Sequence, residues 1–239
     1  MTNQTLTYNE DIALSPIGWL WFPVLSFALF LVIEAFTPVQ YYGYFVNENG
    51  LLENAHGITM IFGAIFAYKN LRQINVKQQK FLTFWFFTAL LGCIYIAGEE
   101  VSWGQHIFNW STPEGWMAIN DQQETNFHNT TSWLDQKPRL MLEIGVIVGG
   151  LILPLISKHM PERVPHWLKR IAPPKEMAIC AFIFLIVKVG DKVGDFSGVF
   201  LFKRASEVSE FYIHFFIAYY LFAMLKRFAH SKATKKAEQ

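Results

Sequence analysis

Apolar and polar positions alternate along the chain on a coarse scale: six long apolar stretches separated by polar connections. The stretches cover roughly residues 17–37, 54–71, 81–100, 140–158, 176–195 and 207–226, each near the roughly 20 residues that a helix needs to cross a bilayer. Pro16, Pro38, Pro173 and Pro174 stand at their borders, where helices start and stop. The pattern predicts an all-α integral membrane protein with six transmembrane helices in a single transmembrane domain spanning 1–239. The connection 101–139 is too long for a structureless loop in a compact protein, so it is expected to form a helical or re-entrant segment on the outer face. Its run "WGQHIFNWSTPEGWMAIN" mixes Trp103, Phe108, Trp110 and Trp116 with polar residues, the composition of a segment lying at the membrane–water interface.

Lysines and arginines set the orientation. Fourteen of the 20 fall between the second and third stretches (Lys69, Arg72, Lys77, Lys80), between the fourth and fifth (Lys158, Arg163, Lys169, Arg170, Lys175) or after the sixth (Lys226, Arg227, Lys232, Lys235, Lys236). The positive-inside rule makes that side cytoplasmic, so both termini are expected in the cytoplasm and the chain in a bacterial inner membrane.

Composition agrees with this and excludes one class. Hydrophobic residues make up 52% of the chain and charged residues 16%, well below the soluble average of about 25% charged. The net charge of +1 comes with no basic patch able to neutralise many phosphates, so nucleic acid is not an expected partner. Membrane lipids are, as are a second copy or another membrane protein. Cys93 and Cys180 lie inside apolar runs and are expected to pack as small hydrophobes. The amino-terminal "MTNQTLTYNEDIALSPIG" lacks the basic region and cleavage site of a secretory signal, so the first helix is expected to stay in the mature protein.

Ionisable residues gather near the outer ends of the predicted helices: Glu34, Glu53, His56, Glu99, Glu100, Glu143, Lys188, Asp191, Lys192, Asp195, Glu207, Glu210 and His214. Helical spacing aligns Glu53 with His56, Lys188 with Asp191 and Asp195, Asp121 with Glu124 and His128, and Glu207 with Glu210 and His214. An ionisable group deep in a bilayer costs on the order of 2.5–3.5 kcal/mol on insertion scales, so these faces are expected to turn inward. Lys188 in particular is expected to pair with Glu99, Glu100 or Asp191.

Imidazole and carboxylate together form the ligand set of zinc and of non-haem iron or manganese, and helix bundles assemble such sites from facing helices. Glu124/His128 and Glu210/His214 share i, i+4 spacing, and Glu100 is placed to join them. The expected site has metal ligands Glu100, Glu124, His128, Glu210 and His214, with Glu99, Glu100, Lys188 and Asp191 as catalytic or charge-balancing groups. Gln105, Asn120 and Asn126 would orient substrate. Of the adjacent pair, Glu100 is expected to be the buried one and Glu99 to face the outer segment. A lipid or lipid-linked substrate follows from the outer-leaflet position. Two other readings stay open: a haem held by His56 and His214 in an electron-transfer module, and a transporter or structural subunit in which Lys188, Asp191, Glu99 and Glu100 serve an ion path. There is no G-x-S-x-G elbow, P-loop or dinucleotide fingerprint.

"GEEVSWGQHIF" at 98–108 and "TPEGWMAINDQQETNFHN" at 112–129 resemble blocks, G-E-E-x-S-W-G-Q and N-x-Q-x-E-x-N-x-H-N, of uncharacterised bacterial multi-pass membrane proteins. The matching positions are Glu99, Glu100, Ser102, Trp103, Gly104, Gln105, Asn120, Gln122, Glu124, Asn126, His128 and Asn129. The resemblance implies a membrane fold and no particular activity. A looser likeness, to ceramidase-type membrane hydrolases with zinc sites near a membrane face, carries over no residue: the last helix lacks their His-x-x-x-His pair, and six spans are predicted rather than seven.

Overall fold

The structure, a computed structural model, describes residues 12–46, 50–120, 124–127 and 130–237. Every regular element among them is helical: α1 (Phe22–Phe36, entered through a π-helical turn at Ile17–Trp21), α2 (Val39–Val46), α3 (Leu51–Gln73), α4 (Lys80–Glu100), α5 (Gln105–Phe108), α6 (Glu114–Met117), α7 (Ser132–Ile147), α8 (Leu153–His159), α9 (His166–Ile171), α10 (Ala178–Ser197) and α11 (Ala205–Ala237). A π-helical turn at Val148–Ile152 joins α7 to α8 in one continuous rod. Both π turns lie just before a proline, Pro23 or Pro154. A proline removes the donor to the carbonyl four residues back and crowds it, and a local widening of the helix accommodates both effects.

Among the described residues, four helices are long and apolar enough to cross a membrane: Ile17–Phe36, Lys80–Glu100, Gln136–His159 and Ala205–Ser231. They mark the chain as a membrane protein. The other two predicted stretches correspond to α3 and α10, which are long helices of lower hydropathy. Asn54, His56 and Asn70 dilute α3, and Lys188, Asp191, Lys192 and Asp195 crowd one end of α10.

α3 packs along both α4 and α11, and α10 lies against α11. α11 is therefore the central element, with Tyr212, Ile213, Leu221 and Met224 almost fully enclosed. Cys93 and Cys180 are buried free thiols in this core. Gly150 lets α10 and α11 approach closely: a Cβ there would lie 2.4 Å from Ala181 Cβ and 2.9 Å from Phe216 Cε2. Outward-facing apolar side chains such as Leu25, Leu29, Phe84, Phe87 and Leu155 remain exposed, a contact surface suited to lipid.

At the end of the bundle opposite Glu100, polar groups tie the helices together. The buried Asn70 donates to Leu221 O at 2.8 Å. Trp85 Nε1 donates to Tyr220 Oη, which donates to Ile171 O, at 2.9 and 2.8 Å. Arg227, counted from sequence as a cytoplasmic flank, is instead buried inside the extended α11 and donates to Ala172 O at 2.9 Å. Tyr220 and Arg227 thus serve carbonyls at and just after the end of α9 that the helix itself cannot satisfy.

Near the opposite end, Glu34 knits α1 to α2 and to the α10–α11 connection. It accepts from Tyr42 Oη at 2.5 Å and pairs with Lys203 Nζ at 3.3 Å. Partial burial and the adjoining Glu34 carboxylate push the Tyr42 phenol above its ordinary pKa, which keeps it a proton donor.

The outer segment is shorter than expected, because α7 begins at Ser132 rather than near 140. Pro138 sits within α7 at the cost of a backbone hydrogen bond. Residues 102–104 turn sharply after α4: Ser102, Trp103 and Gly104 all have positive φ, at 44°, 53° and 93°. Such backbone costs of order 1–3 kcal/mol per non-glycine residue and persists only where the surroundings impose it. Here the imposing contacts are the side-chain bonds of Ser102 and Trp103.

Candidate metal centre and its roof

Glu99 and Glu100 end α4, and the helical turn of about 100° per residue sends them in different directions. Glu99 faces the outer segment. Its two oxygens accept from Trp103 Nε1 at 2.6 Å and from the Phe127 amide at 2.7 Å. Trp103 folds back over Gly98, where any Cβ would come within 2.8 Å of the indole. Glu100 faces the bundle. Its Oε2 lies 3.1 Å from His56 Nδ1 and its Oε1 3.9 Å from His214 Nε2. Burial reverses the sequence expectation: Glu99 is 4% exposed, whereas Glu100 is only part-buried. Roof contacts enclose Glu99, while Glu100 sits where α4 unravels.

His56 and His214 project from α3 and α11 with ring centroids 5.0 Å apart, edge to face. Both are buried, and His56 Nε2 and His214 Nδ1 have no hydrogen-bond partner among the described residues. One ligand atom each from His56, Glu100 and His214 lie within 4.8 Å of one another, and so do one each from His56, Glu207 and Glu210. The two groups share His56 but differ in what surrounds their carboxylates. Arg139 Nη1 approaches Glu210 Oε1 to 2.6 Å, and Arg204 Nη2 approaches Glu207 Oε1 to 3.1 Å. Guanidinium groups already neutralise the second group, so the first is the better cation site.

That first group fits a small divalent ion. Zinc bonds of about 2.0–2.1 Å in tetrahedral arrangement place ligand atoms on the order of 3.3 Å apart, a spacing near the 3.1 and 3.9 Å at which the two imidazoles approach different oxygens of Glu100. Two imidazoles and one carboxylate also form the facial set of non-haem iron. The same geometry does not fit a haem. The Glu100 carboxylate contacts both imidazoles, in the space that a macrocycle between His56 and His214 would need.

From this centre a chain of charged contacts crosses the bundle. Beyond Glu210 and Arg139, Arg139 Nε meets Glu143 Oε1 at 3.3 Å, and Glu143 Oε1 meets Lys188 Nζ at 2.9 Å. Arg139 also donates to Ser209 Oγ at 3.1 Å. Lys188 thus pairs with Glu143 on α7, not with Glu99, Glu100 or Asp191. Asp191 is not drawn into either ligand group. Arginine does not deprotonate in proteins, so the chain is interrupted as a proton relay at Arg139.

The roof has its own network. Glu124 Oε2 accepts from Ser102 Oγ at 2.5 Å and from Asn126 Nδ2 at 2.9 Å. Asn120 Nδ2 donates to Asn126 Oδ1 at 2.8 Å, and Asn120 Oδ1 accepts from the Glu124 amide at 3.1 Å. Gln105 donates to Thr112 Oγ1 and accepts from the Thr125 amide, each at 2.7 Å. Among the described residues, Glu124 joins neither ligand group. Residues 124–127 are irregular rather than helical. His128, with Asp121, Gln122 and Asn129, lies outside the described residues. Glu210 and His214 do share a face of α11 but fall in different groups.

Sequence reading missed Arg139 and did not assign Glu143 or Glu207 to the site. Arg139 and Glu143 carry the i, i+4 signature of a helix-surface ion pair, the signal that could have found them. Comparison with protein-family models, curated proteins and solved structures gave no match to this chain.

Proposed function

We propose that this protein is a metal-dependent enzyme of the bacterial inner membrane, with six spans, cytoplasmic termini and its site in the periplasmic leaflet. The observation that carries the reading is the convergence of His56, Glu100 and His214, from three different helices, with ligand atoms within 4.8 Å of one another. Gathering two buried imidazoles around a carboxylate is costly without compensation, and a divalent cation taken up between His56 Nδ1, His214 Nε2 and Glu100, the atoms that face one another, would supply it. Held by three protein groups, such an ion keeps a coordination position open, polarises an ester or phosphoester oxygen and makes water nucleophilic at neutral pH.

The neighbouring residues have defined parts in this reading. Glu100 balances charge and links the centre to the end of α4. Arg139, Glu143 and Lys188 fix α7 and α10 around it. The roof, anchored through Glu99 and the Ser102–Glu124–Asn126 network, limits water entry. A site one or two turns below the outer helix ends suits a lipid or lipid-linked substrate that arrives through the leaflet. The proton path considered from sequence is disfavoured by Arg139, and the haem module by Glu100.

Purified in detergent and dialysed against metal-free buffer, the protein should retain close to one zinc, iron or manganese per chain by elemental analysis. Substoichiometric content that cannot be restored by adding these ions would exclude the reading. Topology is tested separately. A cysteine placed at Trp116 should react with a membrane-impermeant maleimide added to intact spheroplasts, and one at Lys77 should react only after lysis. Cys93 and Cys180 are buried and contribute little background. The opposite pattern would invert the protein in the membrane.

A further inference from the structure

The second group, His56 with Glu207 and Glu210, is too well neutralised by arginine to be a second metal centre, yet it lies against one ligand of the first. Resting on the metal reading above, we infer that Glu207 and Glu210 are positioning residues for His56, held in place by Arg204 and Arg139. They would orient the imidazole and raise its affinity for the ion without touching the ion themselves.

Three observations lead there. His56 Nδ1 is the nitrogen directed at Glu100, at 3.1 Å. Its Nε2 is buried and has no hydrogen-bond partner among the described residues. A ring nitrogen of His56 and one carboxylate oxygen each of Glu207 and Glu210 lie within 4.8 Å of one another. Metal-ligating histidines almost always donate their other N–H to a carboxylate, carbonyl or water, which fixes the tautomer and makes the ligating nitrogen more basic.

The arginines explain why two carboxylates can stand beside an imidazole without being drawn into coordination. Arg139 reaches Glu210 from α7 at 2.6 Å, and Arg204 reaches Glu207 from the start of α11 at 3.1 Å. Each carboxylate keeps lone pairs for His56 while its charge is balanced. Glu207 and Glu210 are one helical turn apart on α11, so both present to the same side, and His214 comes from the next turn of the same helix. The geometry therefore sets the ligand His214 and the two supports of the ligand His56 on one rigid element.

The test uses full-length protein in detergent, with Co²⁺ as the probe. Its affinity is measured by competition with a chelator, and its coordination by visible absorption. Glu207→Gln/Glu210→Gln should weaken Co²⁺ binding about 10–100-fold and shift the visible bands, with the midpoint of thermal unfolding of the metal-free protein little changed. Glu210→Asp should recover part of the affinity. If the wild type binds Co²⁺ and the double variant binds it equally well with an unchanged spectrum, the positioning role is wrong and the metal centre stands. If the wild type binds no Co²⁺, the metal reading fails as a whole. A weaker affinity accompanied by an equal loss of metal-free stability would mark the glutamates as structural only and overturn the inference.

Discussion

Replacing His214 with alanine should remove stoichiometric metal from the protein, and His56→Ala should do the same. Each imidazole is one of the three ligands of the first group, whose ligand atoms lie within 4.8 Å of one another. Deleting either leaves two, and the loss should exceed the roughly 10–100-fold in affinity that follows when only an outer hydrogen-bond partner is removed. Elemental analysis and chelator competition on the purified variants check it. Glu100→Gln belongs to the same series: a neutral amide keeps the shape and loses the charge, so the ion should again be lost.

Two roof variants give this prediction its contrast. Glu124→Ala breaks the bonds to Ser102 and Asn126, and Glu99→Gln weakens the hold on Trp103 and the Phe127 amide. Both should leave metal content near the wild-type value and raise the rate of proteolysis between residues 101 and 131. If Glu124→Ala strips the metal while His214→Ala retains it, the centre lies in the roof and the ligand set argued here is wrong.

Why the sequence announced one part of this arrangement and concealed another follows from what periodicity can encode. The apolar runs marked the long helices among the described residues, because helices that bury their side chains or turn them to lipid must be mostly apolar over a long stretch. The inward faces of α3 and α11 were equally legible, since His56, Glu207, Glu210 and His214 recur at helical spacing. Partners across helices were not legible. Lys188 meets Glu143 because α7 lies beside α10, and nothing in either segment states that neighbourhood. At Glu124, i, i+4 spacing signifies a shared face only where the backbone is helical, and residues 124–127 are irregular.

The largest effect on folding should come from a position with no polar atom in its side chain. Gly150 stands in the π-helical turn between α7 and α8, and a Cβ there would lie 2.4 Å from Ala181 Cβ and 2.9 Å from Phe216 Cε2. Both neighbours are enclosed in the core and have no free volume into which to retreat. In an isolated helix, alanine is favoured over glycine by about 0.8–1.0 kcal/mol, so propensity alone predicts stabilisation. Overpacking, typically about 1–3 kcal/mol and occasionally more, opposes it. At 2.4 Å, against the backbone-fixed Cβ of Ala181, the clash should win. Gly150→Ala is expected to lower the thermal midpoint in detergent, and Gly150→Leu to prevent recovery of folded protein. Gly145, five residues earlier, has no atom within 4 Å of its would-be Cβ, so Gly145→Ala should be neutral or slightly stabilising. A Gly150→Ala protein as stable as Gly145→Ala would show that the rod formed by α7 and α8 does not approach α10 and α11 as closely as described. Because that rod carries Arg139 and Glu143 to Glu210 and Lys188, any shift that accommodates the methyl group should also weaken Co²⁺ binding, and the two losses should track each other across a graded Ala, Ser and Val series.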